Sequence, residues 1–539
     1  MTSARPSNSP VQIPPEPPPA REESPAPPSS VPDASSTQTT KWGLPLAVVV
    51  VGMFMSVLDT SIVNVAIPRM QSEYGSSPDD IQWISTAYTL CLGVIVPTSA
   101  WLGERLGLKR LYLISLLGFA LFSALCGTAG SLNMMVFYRI LQAIPAGVIP
   151  VTCLTILYRM VPPDKLGSAM GLYGFGIVVA PGVGPAMGGY LVEYINWRLI
   201  FYINVPIGIL GAIAAVVVLP KFPGAAGRKF DLPGFVCVAA GLFALLLAVS
   251  EGQQWGWTGY RVLILLAMSI NLLALFVVIE LQTEQPLLNV RVFAYWPFVN
   301  SLLLIAILTM GMFAVLYYVP LFLQDGQNIT PMNTGLTVLP QAVAMVVIMP
   351  FAGRIYDRIG ARWPAVIGLV VCAGGSLLMT RFNIDMSRLE VVEWTSVRAS
   401  GVALAMMPIM TAGLSCLPPN VMNAGSAFNT LAQRVSSALG VAAMTALSTG
   451  EQAQQMADRS PMLSSTGPDV DPRVLAMQKQ GPGGLISLWQ QLGLEVEAQA
   501  YSNIFLVIGA FTIAGIVLAL LLRGGRPQRS EGAEPIEIG

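Results

Sequence analysis

Stretches of about 20 apolar residues follow one another from residue 43 to residue 523, and nothing else in the chain constrains its fold as strongly. A helix of that length, rising 1.5 Å per residue, crosses the ~30 Å hydrocarbon layer of a bilayer. Fourteen such spans are predicted: 43–67, 81–103, 111–130, 134–158, 166–191, 198–219, 232–250, 261–281, 298–323, 332–354, 363–382, 395–417, 425–449 and 502–523. In lipid every backbone N–H and C=O must be satisfied within the element, so the spans read as helices and the chain as an all-α membrane protein. Only 11% of the residues are charged. A soluble domain needs roughly 25% to cover its surface.

The even number of spans puts both ends of the chain on one side. With the N-terminus inside, the short inner loops hold twelve Lys and Arg against six in the outer loops, which supports cytoplasmic termini in the plasma or inner membrane. Residues 1–40 are a Pro-rich tail, as in Pro14-Pro15-Glu16-Pro17, expected to be disordered and cytoplasmic. Residues 524–539 form a second cytoplasmic tail. The stretch 450–501 reads as a long outer loop, broken by Pro461, Pro468, Pro472 and Gly481-Pro482-Gly483-Gly484. Within it, Gln452–Met456 and Leu485–Ala500 are expected as short amphipathic helices lying on the outer membrane face.

An internal repeat sets the architecture. Gly103-Glu104-Arg105-Leu106-Gly107 follows the second span, and Tyr356-Asp357-Arg358-Ile359-Gly360 follows the tenth. Glu104, Arg105 and Gly107 each precede Asp357, Arg358 and Gly360 by 253 residues, as Ala100 precedes Gly353. Parallel six-helix repeats are how many transporters build two halves around a site at mid-membrane. The halves are 41–220 and 285–523, and 221–284 is an inserted helix pair. The two loops can latch the halves through charge pairs and a helix N-terminus. They can equally serve only as positive anchors at the inner face.

Several chemistries are excluded. The chain has no histidine, which removes a histidine relay, a histidine-held metal and a Ser-His-Asp triad together. Cys91, Cys126, Cys153, Cys237, Cys372 and Cys416 lie in apolar runs with no C-x-x-C spacing, so they read as buried thiols. No lysine follows a glycine, so there is no phosphate-cradling loop for an ATP-driven pump. Net charge is zero, which gives nucleic acid nothing to bind. No enzyme class, cofactor or metal is expected.

What remains are polar residues inside apolar helices. Asp59 lies midway along the first span. A carboxylate there costs about 2.5–3.5 kcal/mol on insertion scales, so it must face a wet cavity or hold a proton, which suits a proton carrier. A static Asp that ties helices together is the plainer reading. Arg139 and Gln142 share a face of the fourth span. Arg139 can bias a carboxylate, or it can reach outward to headgroups. Asn64, Tyr317, Tyr318, Gln324, Gln341 and Arg434 are candidates to line a substrate cavity, and ordinary helix packing suits each equally. In the fifth span Gly176, Ala180, Gly184 and Gly188 recur every fourth residue, beside Pro181, Pro185 and Gly189. Small residues at this spacing let another helix backbone approach, and the prolines permit bending.

Together these strings resemble the major facilitator superfamily, and within it the fourteen-helix drug:proton antiporters of the EmrB/QacA type, nearest to EmrB. The resemblance runs over about 43–523. It rests on Leu58-Asp59-Thr60-Ser61-Ile62-Val63-Asn64-Val65-Ala66-Ile67-Pro68, on Arg139-Ile140-Leu141-Gln142, and on Ala180-Pro181-Gly182-Val183-Gly184-Pro185-Ala186-Met187-Gly188-Gly189. Ala100, Glu104 and Ala143 depart from that family's usual Gly, Asp and Gly. The resemblance implies a major facilitator fold, a protonatable Asp59 supported by Arg139, and the proton gradient as the driving force in place of a cofactor. It implies small hydrophobic or amphipathic substrates exported for protons across the lipid bilayer, with a periplasmic adaptor as a further partner. Export of an endogenous lipid or secondary metabolite by the same scaffold is the alternative.

Overall fold

The computed structural model describes residues 42–224, 229–459 and 482–522. The expected tails, 1–40 and 524–539, and the middle of the expected outer loop lie outside the described residues. Among the described residues fifteen α-helices follow in order: α1 Gly43–Tyr74, α2 Pro78–Leu106, α3 Leu108–Gly127, α4 Leu132–Met160, α5 Leu166–Tyr194, α6 Leu199–Tyr202, α7 Asn204–Val218, α8 Leu232–Trp255, α9 Tyr260–Gln282, α10 Trp296–Leu321, α11 Pro331–Ile359, α12 Arg362–Met379, α13 Arg388–Ser415, α14 Met422–Arg459 and α15 Pro482–Leu520. Local signals set their ends. The Ser77 side chain caps the α2 N-terminus by accepting from the Asp80 N–H, with Pro78 in the first turn. Ser387 and Glu390 form a reciprocal capping box on α13. Gly107 and Gly360 end α2 and α11 at φ of 80° and 81°, a region where a side chain is strained, so the two repeated loops turn on glycine.

Among the described residues thirteen helical spans are long and apolar enough to cross a membrane, α6 and α7 counting as one from Leu199 to Val218. The fourteenth expected span, 425–449, lies in α14. That helix is 38 residues long, about 57 Å at 1.5 Å per residue. It falls short on composition alone, because its buried side is polar: Asn423, Ser426, Asn429 and Thr430 are all buried.

Two expectations about 450–501 are corrected. Gln452–Met456 is the end of α14, and Leu485–Ala500 is the start of α15. Neither is a separate surface helix. No proline interrupts α14, and the run from Leu485 to Leu520 contains none either, so each helix continues outward from its apolar part.

α1–α7 pack among themselves, as do α10–α15, and the two groups meet chiefly along α5 against α11 and α2 against α14. α8 and α9 pack on each other, and α8 rests on α2 and α14. α5 is the central seam. On one side, a Cβ built on Gly184 would stand 2.6 Å from Ser61 Oγ, and one on Gly188 would stand 3.2 Å from the Ile62 carbonyl of α1. On the other, a Cβ on Gly171 would stand 2.8 Å from the Met349 carbonyl of α11. Small residues permit both approaches. Gly189 is different: its Cβ direction meets nothing within 4 Å, so it takes no part in the close contact.

Candidate functional site

Asp59 is completely buried halfway along α1. Arg139 Nη1 of α4 donates to Asp59 Oδ2 at 2.6 Å, and Gln142 Nε2 donates to Oδ1 at 3.0 Å. A second donor to Oδ1, Asn204 Nδ2 at 3.0 Å, stands at the first residue of α7. Arg139 Nη1 also donates to Gln142 Oε1 at 2.8 Å. Asn204 Nδ2 bonds Ser123 Oγ of α3 at 3.1 Å, and that hydroxyl donates to the Phe201 carbonyl at 2.8 Å. The guanidinium of Arg139, itself only 1% exposed, lies 3.7 Å from the centre of the Tyr88 ring of α2. Five helices thus converge on one carboxylate.

The chemistry of this arrangement follows from burial. An ion pair removed from water survives only when its remaining valences are filled, and here donors from α4 and α7 fill both carboxylate oxygens. Adding a proton to Asp59 would neutralise it and leave Arg139 with Gln142 and the Tyr88 ring as partners.

The repeated loops do not resemble one another in their partners. Asp357 reaches across to the first turn of α5 in the other half. Its Oδ1 accepts from the Gly167 N–H at 2.7 Å, and its Oδ2 accepts from the Ser168 N–H at 3.0 Å and the Ser168 hydroxyl at 2.7 Å. Glu104 Oε1 accepts from Asn423 Nδ2 of α14 at 3.3 Å, and Arg159 Nη2 donates to Asn423 Oδ1 at 3.4 Å. Gly353 stands backbone to backbone with Gly167. Tyr158 Oη reaches the Thr411 carbonyl at 3.3 Å. All of these contacts between the halves lie at the end of the bundle that carries the two glycine turns. Arg105 lies over the Trp101 ring at 5.0 Å, whereas Arg358 is exposed.

The remaining expected residues are scattered. Asn64 is exposed and accepts from Ser85 Oγ at 3.0 Å. Tyr317 is exposed, while Tyr318 is buried in an aromatic cluster with Phe322 and Tyr501 and donates to Thr445 Oγ1 at 2.7 Å. Gln324 and Gln341 are half-buried. Arg434, half-buried on α14, stands within electrostatic reach of Tyr88 and Tyr173 in the other half. Pro181 contributes its carbonyl to Ser61 Oγ at 3.2 Å. The side chain of Pro185 lies outside the described residues. Asn204, Ser123 and Tyr88 are the residues that sequence reasoning missed as site members.

The model of the Major Facilitator Superfamily matches residues 49–441. This chain belongs to that superfamily. It is 30% identical over 503 residues to the uncharacterized MFS-type transporter YhcA of Bacillus subtilis, covering 90% of this chain and 93% of that protein. It is 28% identical over 490 residues to the multidrug resistance protein B homolog of Mycobacterium tuberculosis, covering 88% and 89%. Among solved structures it is similar to the proton:xylose symporter XylE, with TM-score 0.56 and 13% identity, covering 91% and 97%. That last likeness shows the fold alone. The protein is thus a multi-pass membrane transporter for small molecules, not an enzyme.

Proposed function

We propose that this chain is a proton-coupled antiporter of the fourteen-helix EmrB/QacA type, exporting small amphipathic molecules, drugs among them, across the plasma or inner membrane. The observation that carries the reading is the buried carboxylate of Asp59, held by Arg139, Gln142 and Asn204 at 2.6–3.0 Å. In this account Asp59 is the carried-proton site. Its charge locks α1 to α4 and α7, and protonation weakens that lock, so α1 and its close partner α5 can shift between two arrangements of the halves. In the same reading, the contacts of Asp357 and Glu104 with the opposite half hold the cytoplasmic end shut while the outer end releases substrate. Support for drug export comes from the likeness to the multidrug resistance protein B homolog.

One proton entering supplies about 2.3 kcal/mol per 100 mV, beyond any pH gradient, enough to hold a substantial substrate gradient. The test is uncoupler-sensitive efflux of a dye panel from cells expressing equal amounts of protein. Asp59→Asn, which keeps the shape and removes the titrating group, is expected to abolish that efflux. Efflux at the unmodified rate from the Asp59→Asn variant would refute Asp59 as the carrier.

A further inference from the structure

The spans of the two halves carry more buried cation than anion. Arg139 is neutralised by Asp59. Arg398 of α13 is 4% exposed and donates through Nε to Ser376 Oγ at 3.1 Å, with its Nη2 2.8 Å from where a Cβ of Gly311 would stand. Ser376 follows Ser123 by the same 253 residues that separate the glycine turns, so Arg398 occupies a comparable frame in the C-terminal half. The position at that offset from Asp59 is Met312, and no carboxylate replaces it. A third arginine within the spans, Arg434, is half-buried. Among the described residues neither Arg398 nor Arg434 has a carboxylate in an ion pair or among its electrostatic neighbours.

Arg434 differs from Arg398 in standing near residues of the opposite half. It lies twelve residues into α14, about 18 Å from the end that carries the glycine turns, and so near the middle of the membrane. It faces Tyr88 and Tyr173 of the other half, and Tyr88 lies against Arg139. The nearby seam is soft and apolar. Tyr173 Oη approaches Met53 Sδ at 3.7 Å, and Met349 and Met407 press on Gly174 from the opposite half. Methionines accommodate apolar bodies of varied shape, whereas an unpaired guanidinium in low dielectric demands a negative charge.

We infer that the exported molecules carry a negatively charged group, and that Arg434 binds it while the methionine and tyrosine walls take the apolar body. The inference rests on the export reading above and deepens it by naming the substrate class. Exchange of an entering proton for a leaving monovalent anion moves two positive charges inward per cycle. Efflux should therefore respond to membrane potential even with no pH gradient.

The test uses inside-out vesicles carrying the full chain and three fluorescent probes: anilinonaphthalene sulfonate, its uncharged counterpart phenylnaphthylamine, and the cation ethidium. Uptake of the sulfonate is expected to exceed that of the other two by about tenfold, the factor set by one charge-assisted contact. Arg434→Gln is expected to remove this preference and Arg434→Lys to retain most of it, with both variants eluting as folded protein in detergent. Equal or faster uptake of phenylnaphthylamine or ethidium by the unmodified protein would overturn the inference, as would unchanged sulfonate uptake by the Gln variant or no sulfonate uptake at all. The two readings fail separately. Arg434-dependent sulfonate uptake without proton movement rejects antiport and leaves anion selection standing. Proton exchange with ethidium and not with the sulfonate does the reverse.

Discussion

Replacing Asp357 by Ala should open the end of the bundle that carries the glycine turns. The carboxylate accepts three hydrogen bonds from Gly167 and Ser168 at 2.7–3.0 Å, all from the first turn of α5 in the opposite half. Hydrogen bonds to a charged group contribute about 1.5–3 kcal/mol each when removed singly, and the helix N-terminus adds up to about 1 kcal/mol. The three share one half-buried side chain, and water can replace the lost acceptor, so the sum is far from additive. About 2–3 kcal/mol is a reasonable total. The equilibrium between the closed and open forms of this end should then shift roughly 30- to 150-fold. Asp357→Asn keeps one acceptor without the charge and should shift it roughly tenfold or less. The measurement is the spin-label distance distribution between one label on the α4–α5 turn and one on the α11–α12 turn, in detergent and in nanodiscs. An Ala variant with the unmodified distribution would refute the argument that this carboxylate holds the halves together.

Further outcomes follow from the same contacts. Gly188→Ala should cost about 1–3 kcal/mol, because its methyl group meets the Ile62 backbone, whereas Gly189→Ala should be close to neutral; thermal unfolding of the two variants compares them directly. Gly184→Leu should impair turnover more than expression, and transport at the unmodified rate would show that α5 and α1 need no close contact. Asn204→Leu removes donors to both Asp59 and Ser123, so dye efflux should fall about tenfold at equal expression, while Asn204→Asp should be worse because it sets two carboxylates together. Replacing 461–480 with a short Gly/Ser linker should leave proton-coupled dye efflux in place and alter only its rate or range; complete loss in well-inserted protein would place that segment in the transport core.

Much of the site was legible because charge inside an apolar run is conspicuous. Asp59 and Arg139 stand out for what they cost in lipid, and Gln142 falls one turn from Arg139 on the same face. Asn204 and Ser123 are neutral, and neutral polar residues recur throughout these helices, so nothing local says which ones point at Asp59. Tyr88 was equally silent, since its contact with Arg139 depends on how α2 packs against α4. The repeated loops displayed their acids plainly but not their partners: Gly167, Ser168 and Asn423 are brought to them only by the packing of one half on the other. The helix ends misled where polarity was taken for a loop. α14 is polar on a buried side, and α15 starts well before its apolar part, so hydropathy truncated both. Nor does the sequence say which partner the Tyr318 hydroxyl finds: Thr445, more than a hundred residues away, is brought to it by packing within an aromatic cluster.

The central claim is that proton movement through Asp59 is tied to substrate movement. Its most direct measurement is the internal pH of proteoliposomes after substrate is added with no proton gradient imposed, comparing the unmodified chain with Asp59→Asn at equal incorporation. A substrate-dependent pH change is expected in the first and none in the second. Substrate flux without any pH change in the unmodified protein, or an equal pH change in the Asn variant, would contradict it.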